Sequence, residues 1–112
     1  MLRHCLTLDL RDDAAGIAEY KRYHETIWPE VKASLFAAGV IDMEIYLLGT
    51  RMFMIMDVAD DFTFERKAAM DAANATVQKW ETLMHAFQHD LPQAKAGEKW
   101  VPMEKVFSLA MQ

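Results

Sequence analysis

The segment Arg51-Met52-Phe53-Met54-Ile55-Met56-Asp57-Val58 constrains the fold more than any other part of the chain. Its side chains alternate with the period of a strand, and both sets are apolar: Met52, Met54 and Met56 point one way, Phe53 and Ile55 the other. A strand with two apolar faces needs cover on both. Helices of the same chain supply one cover. The economical source of the other is a second copy, so the pattern predicts a homodimer whose sheets pack together. Upstream, residues 43–48 also alternate, and Gly49-Thr50 between the two runs predicts a hairpin with a glycine-first, two-residue turn.

The rest of the chain fits around that hairpin. His4, Leu6, Leu8 and Leu10 fall on one face of a strand over 4–10, and Asp12 and Asp13 stand where they could cap a helix beginning near Ala14. Ile17, Tyr20, His24, Ile27, Val31, Leu35 and Ala38 then recur at steps of three and four, which makes one helical stripe ending at Gly39. Pro29 lacks the backbone donor an interior turn needs, so a kink or restart is expected near Trp28. A second helical region is expected over 62–88, broken at Asn74, with Ala73, Val77, Trp80, Met84 and Phe87 as its buried stripe. Residues 91–100 read as a polar loop and 103–109 as the last strand. The order is β-α-β-β-α-β, an α+β fold of ferredoxin-like type with both helical regions on one face of an antiparallel sheet.

At 112 residues the chain predicts a single domain, 1–112. One cysteine, Cys5, forms no internal disulfide, no Cys/His spacing resembles a zinc cluster, and no run reaches the roughly 18 apolar residues of a membrane span. The first residues are too charged for a signal-peptide core, so a cytoplasmic protein without membrane association is expected. The net charge of −5 argues against nucleic acid, which requires a concentrated basic surface, and favours a neutral small ligand. The nine methionines read as core filler.

His24 is the residue with most to say about chemistry. It occupies the apolar stripe where leucine would pack better, and a buried imidazole needs partners for its nitrogens. Tyr20 lies one turn before it and Trp28 one turn after, and Trp80 on the other helical region is placed to face them. A satisfied core histidine in an aromatic stripe has the same periodicity. Rings beside hydrogen-bonding groups also suit a sugar, whose C–H face stacks while its hydroxyls need polar partners. His4, His85 and His89 read as strand-end or surface residues. Hydrolase elbow, phosphate loop and dinucleotide fingerprint are all missing. Tyr20 and His24 share the spacing of two metal ligands, but no nearby carboxylate completes a set, so neither metal nor other cofactor is expected.

The run Tyr20-Lys-Arg-Tyr-His24-Glu-Thr-Ile-Trp28-Pro29-Glu30 resembles the helix motif Y-x-x-x-H-x-x-I-W-P-E of the L-rhamnose mutarotase family. Ile45-Tyr46-Leu47, Gln78-x-Trp80 and Glu104-Lys105-Val106-Phe107 extend the likeness, in order and spacing, over essentially the whole chain. The resemblance implies a ferredoxin-like subunit paired into a dimeric α/β barrel, and exchange of the α and β anomers of a 6-deoxy sugar at C1. It implies His24 as the acid/base, Tyr20 as a substrate contact and Trp80 as the sugar-stacking ring. Met43 stands where the rhamnose-type pattern has a substrate-touching tyrosine, and Glu81 where it has a second tryptophan. Both changes alter the pocket wall and bring L-fucose into competition with L-rhamnose, since unpaired polar groups discriminate strongly between stereoisomers.

On this reading His24 protonates the ring oxygen, Tyr20 orients the sugar or acts through water as partner, and Glu44 and Glu81 are further candidates for that partner. Imidazole suits the work because it gives and takes protons near neutrality. Two rival readings carry other expectations: a cofactor-free oxygenase on the same kind of dimeric barrel, and a non-catalytic sugar-binding barrel in which His24 only satisfies a buried hydrogen bond.

Overall fold

A computed structural model describes residues 1–112. Strand β1 (Leu2–Leu10) leads to helices α1 (Ala14–Glu25) and α2 (Pro29–Ala37), followed by the hairpin β2 (Val40–Leu48) and β3 (Arg51–Val58). Helices α3 (Phe64–Ala72) and α4 (Ala75–His85) come next, then two short strands, β4 (Gln88–His89) and β5 (Val101–Pro102), and a single 3-10 turn over Leu109–Met111. All strand pairs are antiparallel, and the sheet runs β2-β3-β1-β4 with β5 also on β1. This is the ferredoxin-like order.

The breaks between elements follow local chemistry. Pro29 does more than kink a helix: α1 stops at Glu25, and Pro29 opens α2 in its first turn, where its missing N–H costs nothing. Gly39 ends the helical pair at φ +96 and Gly49 turns the hairpin at φ +61, a region that side-chain-bearing residues avoid. Asn74 caps α4, its Oδ1 accepting from the backbone N–H groups of Thr76 and Val77. Asp13 stands at the start of α1 without a capping hydrogen bond.

One face of the sheet carries the helices. Leu6, Leu8 and Leu10 of β1 and Met52, Met54, Met56 and Val58 of β3 are buried there, in two clusters. Tyr20, Val31, Trp80 and Met84 close the first, Val40 and Phe62 the second. Met52, Met54 and Met56 are core, as their alternation predicts, and so is Met84, but Met1, Met70, Met103 and Met111 are exposed, so core filling does not extend to all the methionines. On the other face Cys5 opposes Ile55 and Thr7 opposes Phe53, between the ion pairs Arg3–Asp57 and Arg51–Asp9 at the two ends of the β1–β3 ladder. Tyr46 and the largely exposed Leu48 of β2 extend that face.

The end of the chain departs from the expected plan. No strand runs over 103–109; the fourth strand is instead shared between β4, paired with Asp9 and Leu10, and β5, paired with Leu6 and Thr7. Residues 90–100 loop out between the two pieces. Met103 still donates its N–H to the Cys5 carbonyl at 2.8 Å, after which the chain leaves β1. Alternation describes where side chains point, whereas a strand also requires a backbone partner, and beyond Met103 there is none within the chain. The second helical region likewise ends at His85, and Gln88 belongs to the sheet. No helix is long and apolar enough to cross a membrane.

Candidate functional site

Helices α1 and α2 cross the sheet with a gap between them and β2. The gap is a cleft of about 760 Å³, within the roughly 300–1,000 Å³ typical of small-molecule sites. Leu10, Met52, Ile45 and Leu47 form its apolar floor, and Met43 stands on the β2 side. Polar groups come mainly from α1, as Tyr20, Lys21, His24 and Glu25, with Lys32 from α2 and Asp42 from the irregular start of β2.

His24 lies in the last turn of α1 and its ring is held on two sides. The Tyr20 ring lies 4.4 Å away, centroid to centroid, and the Trp80 ring meets it edge-on at 5.6 Å. Trp28 in turn abuts Trp80 at 5.1 Å. The imidazole Nδ1 sits 2.8 Å from the Tyr20 carbonyl oxygen. A carbonyl only accepts, so Nδ1 carries the hydrogen and the neutral ring presents Nε2 as a bare acceptor. Burial lowers the His24 pKa below its ordinary value, and the bond to the Tyr20 carbonyl opposes that shift only in part. The resting ring is therefore neutral at pH 7.

Tyr20 is almost fully buried, and burial raises its pKa, so the phenol keeps its proton. Its hydroxyl accepts a hydrogen bond from Gln88 Nε2 at 3.5 Å. A neutral base and a protonated phenol thus lie side by side on one helix.

Of the residues singled out in the sequence, Tyr20, His24 and Met43 line the cleft. Trp28 and Trp80 stand behind it: Trp80 is buried in the core cluster and fixes the His24 ring, with Trp28 against its other side. Glu81 lies outside the cleft, where Gln78 donates to its carboxylate at 3.3 Å. Burial and the nearby Asp71 charge raise its pKa, while Lys67 and Lys99 counteract. Glu44 is on the opposite face of the sheet, in register with Ile55 and bonded to the Tyr46 hydroxyl, so it cannot serve this cleft as a proton partner. Period two separates it from Met43 and Ile45. Lys21, Glu25, Lys32 and Asp42 escaped the sequence reading because ordinary surface charges flank any helix or strand. Gln88 left no signal at all, since it lies outside the stripe of α4.

The family model for L-rhamnose mutarotase matches residues 3–109. The chain belongs to the L-rhamnose mutarotase family. Among family relatives, an L-fucose mutarotase from Xanthomonas campestris pv. campestris is 46% identical over 112 residues, covering 98% of this chain and 90% of its own. An L-rhamnose mutarotase from Acidiphilium cryptum is 34% identical, covering 87% and 89%. The crystal structure of an L-rhamnose mutarotase from Formosa agariphila superposes with a TM-score of 0.72 at 24% identity, covering 97% of this chain and 99% of that one, and so supports the mutarotase-family fold.

Proposed function

We propose that the chain is a mutarotase that exchanges the α and β anomers of a 6-deoxyhexose, L-fucose ahead of L-rhamnose. The observation that carries this reading is the Nε2 atom of His24, bare, neutral and directed by its Nδ1 bond, in a cleft large enough to admit a monosaccharide. Family membership supports the reaction class. The relative named L-fucose mutarotase, together with Met43 in place of a hydroxyl-bearing tyrosine, supports the sugar.

Opening a pyranose requires that the C1 hydroxyl lose its proton while the ring oxygen gains one. The C1–O5 bond breaks, the aldehyde turns about C1–C2, and O5 adds back to its other face with both transfers reversed. Protons balance, and no electrons are exchanged with any other molecule. A neutral His24 starts as the base on the C1 hydroxyl, the reverse of its expected first role, because its free nitrogen holds a lone pair and no hydrogen. Tyr20 contacts the sugar beside it, the Trp80–Trp28 pair holds the His24 ring from behind the cleft, and Met43 on the cleft wall sets which sugar is accepted, whereas Glu81 lies outside the cleft.

We further place the protein in the cytoplasm as one domain over 1–112, acting as a homodimer that covers the open sheet face. Anomer exchange is measured by saturation-transfer NMR on L-fucose and L-rhamnose. The wild type is expected to accelerate exchange and His24→Ala to lose about 10²–10⁴-fold of that acceleration; full exchange by the variant would remove His24 from the mechanism.

A further inference from the structure

Gln88 is one of only two polar residues buried in the protein, at 5% exposure, and nothing in its own strand accounts for it. It sits opposite Leu10 in the β4–β1 pairing, and directly opposed residues of an antiparallel pair share a face. Leu10 is buried under the helices, so Gln88 points from the sheet toward α1, against the underside of Tyr20. Its backbone is locked there by the pairing with β1 and by the adjoining bond from Arg11 N–H to the Phe87 carbonyl at 2.9 Å. A leucine at this place would fill the same space, as its neighbours do. The amide instead donates to the Tyr20 hydroxyl across 68 residues of sequence.

A phenol oxygen that accepts from an amide has one lone pair engaged and its own hydrogen unspent. We propose that Gln88 is a positioning residue that holds the Tyr20 hydroxyl as a hydrogen donor toward the sugar ring oxygen, complementing His24 as the base on the C1 hydroxyl. The inference rests on the mutarotase reading above. In the opening step the Tyr20 proton passes to O5 as the C1–O5 bond breaks and His24 takes the C1 hydroxyl proton. On closure each group recovers its proton or its lone pair. Burial favours this division of labour: Tyr20 stays protonated and His24 stays neutral in the same range of pH.

The test is a double-mutant cycle read by anomer-exchange NMR, with thermal unfolding to establish that each variant folds. Gln88→Met keeps the volume without the donor, and Gln88→Asn keeps an amide but withdraws it by one methylene. Each is expected to lower kcat about three- to ten-fold, the worth of one ordinary hydrogen bond, with KM within two-fold of wild type. Neither is expected to lower kcat further in a Tyr20→Phe background, because no hydroxyl remains to be aimed. A structural role would instead move the unfolding temperature and leave the cycle additive. Unchanged kcat in a folded Gln88 variant, or the same loss in the Tyr20→Phe background, overturns the proposal. A wild-type protein that does not accelerate exchange overturns the mutarotase reading itself, which keeps the two failures distinct.

Discussion

A histidine in the last turn of a helix, with one nitrogen spent on a backbone carbonyl, has a charge state set by its surroundings. Burial disfavours the imidazolium of His24, so its pKa lies below 6.5 in the folded protein. If the neutral form is the active one, kcat/KM rises with pH through that lowered value and is level by neutrality. A profile that instead falls across pH 6 to 7 would show that the protonated ring is the working form. The same shift links to folding: the folded state binds this proton more weakly than the unfolded chain does. Its contribution to stability is therefore complete above pH 6.5 and lost as the pH falls through the depressed folded value. Chemical denaturation at pH 7.5 and 5.5 is expected to show lower stability at 5.5, with the difference reduced in His24→Leu. Trp80 supports the ring by packing, edge-on to His24, Tyr23 and Trp28. Trp80→Ala is expected to cost about 3–5 kcal/mol in unfolding free energy, and activity along with it.

At the scale of elements, the helices were legible and the fourth strand was not. The stripe from Ile17 to Leu35 located α1 and α2, and Pro29 located their junction, because proline and three-four spacing are local signals. Asn74 was equally legible as a cap. Its side chain bonds two free N–H groups of α4, so Asn74→Ala is expected to lose about 1 kcal/mol in denaturant unfolding, and Asn74→Asp to retain most of the stability. By contrast, β4 and β5 are two residues each, and they become strands only because β1 offers an unpaired edge over Leu6–Thr7 and Asp9–Leu10. No periodicity exists in two residues. The alternation that does exist, over 103–109, belongs to chain that β1 no longer reaches.

For the whole molecule, the open face of the sheet is the surface on which the proposed homodimer rests. Phe53 and Ile55 stand half-buried between two ion pairs, with Tyr46 and Leu48 exposed beside them. Apolar surface of this kind is covered in stable proteins, and a matching face on a second copy satisfies the two-fold symmetry of a homodimer. Sedimentation is expected to give a dimer for the wild type and a shift to monomer for Phe53→Glu/Ile55→Lys, because a charge on each inner strand position must be desolvated to pair. A wild-type monomer would remove the assembly and leave the cleft chemistry intact.

Read alone, the chain determined what depends on neighbours a few residues apart: the two-faced strand, the broken helical stripe, the capping asparagine, and the motif around Tyr20 and His24. Period and spacing act over one or two turns, and they are written wherever a side chain must reach the core. Only the tertiary structure decided which edge of β1 the final segments would join and which charged residues would face the cleft. It alone set Gln88 against a tyrosine 68 positions away. Those outcomes depend on how separate elements dock, and a contact between distant segments leaves no period in either of them.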